Sequence, residues 1–298
     1  MAKKRKAPKQ PTIRDFYRMF PTDDACLEHL FNTRFGQGHA CPKCERDARW
    51  YKIAGEQCYS CEWCGHHIHP QVGTIFEKSR TPLQLWFYAM YLFTTSRHGV
   101  SAKALQRKLG VTYKTDYRMG KLIRKHMAAI DGDAPLGGPG KVVEVDETYV
   151  GGKGTGKGSG ARQHKTIVLG IMERDGEVIT KVVPDASRNS LTKGVAASVH
   201  AETEIHADLH HGYDGLSRKF DLRRVNKDDW YVEEDGTHVN SIENFWRHLK
   251  QSIKGTHISV SGKYLERYAK EFEYRFNRRL RPETMLAELL TRFPELRT

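Results

Sequence analysis

The sequence predicts an α/β chain in which an RNase H-like domain follows a small cysteine-bound metal module and a helical region. Three observations carry that expectation. Two CxxC pairs fall close together near the N-terminus, while the rest of the chain is almost free of cysteine. A glycine and proline stretch, "DGDAPLGGPG" (131–140), separates helical patterning from strand patterning. Beyond it, carboxylates sit on a strand, at a strand end and on a helix, which is the layout of an RNase H-like metal site.

The N-terminal half divides into four parts. Residues 1–11 form a basic arm, and 12–38, "TIRDFYRMFPTDDACLEHLFNTRF" onward, have helical apolar spacing interrupted at "PTDD". A zinc ribbon is expected over 39–75. Cys41 and Cys44 form one pair and Cys61 and Cys64 the other, with sixteen residues between them, the spacing by which two knuckles grip a tetrahedral ion. Cys58 makes a competing CxxC with Cys61. The pair Cys61 and Cys64 is favoured because "CGHH" continues into a turn and Tyr59 then occupies the strand position before the knuckle. Cys26 reads as core. Over 80–130, Ser101 can cap a helix through Leu109, "GVT" makes a tight turn, and Thr112 can cap a second helix to about Met127. That is a helix-turn-helix layout, and the second helix carries Lys114, Arg118, Lys121, Arg124 and Lys125 for DNA contact.

The catalytic half is expected over 141–285, with a tail over 286–298. "KVVEVDETYV", "KTIVLGIMER", "EVITKVVPD" and "TEIHAD" read as strands, the second and third joined by a hairpin turn at "RDGE". "SRNSLTKGVAASVH", "VNSIENFWRHLKQSIKG" and "GKYLERYAKEFEYRFNRRL" read as helices. The glycine-rich stretch after the first strand fails as a nucleotide cradle. Gly158 stands where Ser or Thr must hold magnesium, and the loop opens a strand instead of a helix. It is better explained as a basic loop whose Lys153 and Lys157 reach nucleic-acid backbone.

In "VVEVDETYV" alternation sets Glu144, Asp146 and Thr148 on one face and Val143, Val145 and Glu147 on the other. An acid in the middle of a buried strand is costly unless a cation neutralises it. Asp208 ends a strand, and Glu243 lies on the polar face of a helix with Asn240, Arg247, Lys250 and Lys254. Three such carboxylates can gather two Mg²⁺ ions for phosphoryl transfer. Arg275, Arg278 and Arg279 share one face of the last long helix, which suits phosphate contact.

The chain carries 49 Lys and Arg against 36 Asp and Glu, for a formal charge of +13, which favours a polyanionic partner. No run approaches the roughly 18 apolar residues of a spanning helix, and the basic N-terminus lacks the apolar segment of a secretory signal. A cytoplasmic, nucleoid-associated protein is therefore expected.

"FPTDDACLEHLFNTRFGQGHACPKC", "GTIFEKSRTPLQLWFYAMYLF", "VEVDETYVGGK" and "HVNSIENFWRHLKQSIKGTHISVS" together resemble the bacterial insertion-sequence transposases that join a zinc ribbon to a DDE-type domain, the fifteen-ninety-five group. The resemblance spans roughly Thr12 to Arg279. It implies a transposase that binds terminal inverted repeats in double-stranded DNA, exposes 3′ hydroxyls by hydrolysis, and joins them to target DNA with Mg²⁺ or Mn²⁺, as at least a dimer. Asp146 and Asp208 carry over as the first two catalytic residues and Glu243 as the third, with Asn240 as the alternative. His238 and Lys250 are implied near the phosphate. "DLHHGYDGL" departs from the expected segment after the second aspartate, at His210, His211 and Asp214. The rival readings are a nuclease of the same fold without strand transfer and a zinc-ribbon DNA-binding regulator.

Overall fold

The computed structural model describes residues 9–151, 165–226 and 232–294, and the chain divides into two compact units, 1–130 with 280–298 and 131–279. Lys153 and Lys157 lie outside the described residues.

The first unit opens with α1 (Ile13–Met19) and α2 (Asp23–Arg34), capped by the hydroxyls of Thr12 and Thr22. A three-stranded antiparallel sheet follows, β1 (Trp50–Lys52), β2 (Tyr59–Cys61) and β3 (His67–Ile68). It is tied to α2 by Phe31, whose ring stacks on Tyr59 with centroids 4.0 Å apart. α3 (Leu83–Thr95) is apolar nearly all round and supplies the unit's core with Trp86, Phe87, Met90 and Phe93. α4 (Ala102–Leu109) starts at the Ser101 cap and stops at Gly110, which takes φ +68°. α5 (Tyr113–Asp131) then runs one turn further than the sequence suggests. On α5, Tyr113, Lys114, Tyr117, Arg118 and Lys121 are exposed. Arg124 is not available for DNA contact: it is buried, donates to the Val100 carbonyl at 2.8 Å and lies over the Phe93 ring.

The unit also contains α9 (Thr284–Thr291), which spans the boundary drawn from the sequence between the catalytic half, 141–285, and the tail, 286–298. Met285, Leu286, Leu289 and Leu290 are buried, and the Leu289 and Leu290 carbonyls accept from His126 Nε2 at 2.9 Å and His29 Nε2 at 3.0 Å.

The second unit is a five-stranded mixed sheet in the order β6-β5-β4-β7-β8. β4 (Val142–Val150), β5 (Thr166–Glu173) and β6 (Val178–Val183) form an antiparallel meander, and β7 (Glu204–Asp208) and β8 (Asp221–Val225) add in parallel beyond β4. One face packs Val143, Val145, Leu169 and Ile171 against α6 (Arg188–Ala196) and the 3-10 helix His211–Arg218. The other packs Val168, Met172 and Val178 against α7 (Asn240–Ser252) and α8 (Gly262–Asn277). This mixed α/β sheet with helices on both faces is the architecture the sequence predicts.

Arg275 and Arg278 differ from the expectation of phosphate contact. Both are buried, Arg275 paired with Glu271 and Arg278 with Asp131, because the interior of this unit holds carboxylates that need cations. Arg279 is exposed; it donates to the Gly176 carbonyl at 3.0 Å and lies over the Phe276 ring.

Candidate active site and metal centre

The four cysteines come together as two facing knuckles. The Cys41 carbonyl accepts from Glu45 N–H at 2.8 Å and the Cys61 carbonyl from Gly65 N–H at 3.0 Å, and both donors sit at positive φ, 58° and 66°. These tight turns aim the thiolates of each pair at one point. Cys41 Sγ lies 3.6 Å from Cys64 Sγ and Cys44 Sγ 3.9 Å from Cys61 Sγ. A tetrahedral zinc with bonds of about 2.3 Å requires sulfurs about 3.8 Å apart. The cluster therefore fits structural zinc with all four positions filled by protein. Cys58 is outside it: its thiol is buried, donates to Glu56 Oε2 at 3.3 Å, and is pushed up to about 11 by that burial and the adjacent carboxylate.

In the second unit, the strand alternation sends Glu144, Asp146 and Thr148 toward α7, all three buried. Asp146 stands in the centre of the sheet, opposite Gly170 of β5. The parallel register of β4 and β7 pairs Val145 with Ala207, so Asp146 and Asp208 follow side by side on neighbouring strands. α7 crosses the same face. Asp146, Thr148, Glu243, Trp246, Arg247, Lys250 and Lys254 line one open cleft of about 540 Å³. Glu243 lies on the cleft wall, whereas Asn240 begins the helix, its N–H donating to His238 Nδ1 at 3.3 Å. Among the described residues the tight ligand clusters are the four cysteines and the group Glu56, Cys58 and His67; the three acids are spread over the cleft and the adjoining strand end. Their donor set, carboxylate oxygens alone, fits a hard divalent cation such as Mg²⁺ and no soft one.

Two features of this site were not drawn from the sequence. The first is the role of Glu144, which is fully buried and whose carboxylate fixes the start of α7. It accepts from the Ser241 and Ile242 backbone N–H groups at 2.9 and 3.1 Å and from the Ser241 hydroxyl at 3.0 Å. Arg174 of the β5–β6 turn donates to it through Nε and Nη2, both at 3.3 Å. A carboxylate at a helix N-terminus is favoured by the exposed amides and the helix dipole, and the arginine offsets its burial. His238 Nδ1 lies 3.2 Å from the same carboxylate. Burial holds this imidazole below its ordinary range, although Glu144 pulls the other way. His238 thus sits at the anchor of α7.

The second is Tyr213, from the segment that departs from the resemblance. Its ring is buried under the sheet and its hydroxyl donates to Glu147 Oε2 at 2.7 Å. Burial, then the nearby Glu147, Asp146 and Asp208 carboxylates, keep the phenol protonated far above its usual range. The same segment ends β7 with a turn in which Asp208 Oδ1 accepts from His210 N–H at 3.0 Å. Asp214 faces away, paired with Arg188 and Arg224.

No helix among the described residues is long and apolar enough to cross a membrane. Residues 135–277 match the family of ISXO2-like transposase domains, and residues 21–67 match the transposase zinc-ribbon domain. An uncharacterized protein in transposable element ISH50 of Halobacterium salinarum is 28% identical over 280 residues, which cover 87% of this chain and 92% of that protein. With the cysteine cluster inside 21–67 and the mixed sheet bearing acids inside 135–277, the chain belongs to the IS1595 group of insertion-sequence transposases, which join a zinc ribbon to a DDE domain.

Proposed function

We propose that this transposase cuts DNA at the ends of its element to expose 3′ hydroxyls and joins them to target DNA, using Asp146, Asp208 and Glu243 as the ligands of two Mg²⁺ ions. The observation that carries the reading is the convergence of strand, strand end and helix: Asp146 and Asp208 on adjacent parallel strands, and Glu243 on the helix that shares Asp146's cleft. Magnesium held there would lower the pKa of the attacking water or hydroxyl and offset charge on the leaving oxygen. The chain's own part is to hold the reacting phosphate in line, with Arg247, Lys250 and Lys254 on the cleft wall as its cationic contacts. Glu243 is favoured over Asn240 as third ligand because it lines the cleft. Lys114, Arg118 and Lys121 on the exposed side of α5 are suited to phosphates of the terminal repeats. Lys153 and Lys157 remain candidates for backbone contact from the sequence alone. Two ends must meet, so a dimer or larger assembly on DNA is expected.

Asp146→Asn tests the reading. It should lower both end cleavage and strand transfer by more than about 10²-fold, the scale on which loss of one charge-stabilising group is felt, and leave binding of the ends unchanged. Joining at the normal rate by this variant would refute the metal-site assignment. Cleavage by the unaltered protein without any joining would favour the nuclease reading.

A further inference from the structure

The chain leaves α7 through a π-helical turn, Ile253–His257, and Ile258 then takes φ +64° and ψ −55°. Ser259 N–H donates to the His257 carbonyl at 2.7 Å. A bond from residue i to i+2 around such angles defines the positive-φ γ-turn, a rare and strained conformation. Its apex residue is β-branched, the type for which positive φ is most costly. Ile258 is also 86% exposed, so its apolar side chain gains little from packing against the described residues.

The loop is nevertheless firmly held. Ile253 before the apex and Val260 after it are buried in the core beneath α7 and α8. The His257 ring meets Tyr268 edge to face at 4.7 Å, and the Val260 carbonyl would lie 3.1 Å from a Cβ at Gly151. Strain held by surrounding structure, next to a π-turn, is typical of functional positions. The position relative to the cleft is informative too. Lys254, one turn earlier, lines the cleft with Asp146. Gly151 follows Asp146 by five residues along the same strand direction.

We propose that Ile258 is an apolar wedge that enters the base stack of the DNA end beside the scissile phosphate and unstacks one step. Resting on the reading of the cleft as a DNA-cutting site, the proposal takes DNA as the occupant because the apex follows by four residues Lys254, which lines the cleft with Arg247 and Lys250. Apolar wedges that part base steps and bend the duplex onto a basic surface act in this way.

The experiment uses the full chain, Mg²⁺, and duplexes cut from the DNA bordering the reading frame, with 2-aminopurine at successive steps from the cleavage site. The unaltered protein should raise fluorescence at one step near the cleavage site. Ile258→Gly should leave it at the level of DNA alone and slow cleavage of the perfect duplex by about tenfold or more. A mismatch at that step should restore the rate. Glycine relieves the positive φ, so this variant should melt no lower than the original, and its loss of activity cannot be ascribed to misfolding. If Ile258→Gly brightens and cleaves DNA as the original does, the wedge is refuted while the DNA chemistry stands. If the variant loses self-association in sedimentation but still brightens the DNA, the apex is a protein contact and the proposal fails. Absence of cleavage by the unaltered protein would instead refute the proposed function.

Discussion

Gly170 shows how closely the acidic cleft depends on single atoms. It stands opposite Asp146 in the β4–β5 ladder, and a Cβ there would lie 2.4 Å from Trp246 Cζ2 and 2.7 Å from Ile242 Cδ1. The absent side chain is what lets α7 lie against the sheet and bring Glu243 to the cleft. Gly170→Ala should therefore cost about 1–3 kcal/mol through overpacking and slow cleavage further than the lost stability explains, which urea melts and a cleavage assay on the same preparation would separate. Unchanged melting and unchanged rate would remove the residue from the argument. Alternation along "VVEVDETYV" made the facing of Glu144, Asp146 and Thr148 legible in sequence, because the period of a strand is local. The partners of those residues were not legible: Trp246 and Arg174 reach them only through the fold. Arg275 and Arg278 illustrate the reverse error. A shared helix face read as a phosphate surface, but the nearby Glu271 and Asp131 turn both arginines inward.

At the level of elements, periodicity and capping residues marked the helices from α4 to α8 and the strands from β4 to β7, and the Ser101 and Gly110 boundaries of α4 were visible in the chain. β8, "DLRRV", was missed because its alternation is charged, as suits an edge strand. α9 was missed because eight residues carry little periodic signal, and the partners that stabilise it lie near the other end of the sequence. Its attachment has a pH signature. His126 is buried and donates from Nε2 to the Leu289 carbonyl; burial pushes its pKa down to about 4. The folded chain keeps this imidazole neutral where the unfolded chain, titrating near the ordinary value of about 6.5, already binds a proton. Stability should then be full above about pH 6.5 and fall as the pH drops toward 4, by up to about 3 kcal/mol. Thermal melts across that range check the slope, and His126→Gln, which keeps an N–H donor but does not titrate, should flatten it. A slope that survives the substitution would assign the effect to other groups.

For the whole molecule, the net charge of +13 foretold a polyanionic partner but not which cations face it. The structure sorts them. Lys114, Arg118 and Lys121 are exposed along α5, whereas Arg124, Arg275 and Arg278 are consumed inside the protein. Each exposed cation that meets a phosphate releases condensed counterions, contributing about 0.9 to the slope of log affinity against log salt. Lys114→Ala and Lys121→Ala should each flatten that slope by about this amount and leave the melting temperature nearly unchanged. Arg278→Ala should do the opposite. It leaves Asp131 buried without its guanidinium, a loss on the order of 3–5 kcal/mol, while the salt slope of the protein that remains folded stays as it was. Binding titrations at several salt concentrations, paired with melts, read both quantities. A flattened slope for Arg278→Ala would mean that the arginine leaves its ion pair to meet DNA, and the division between internal and DNA-facing cations would have to be redrawn.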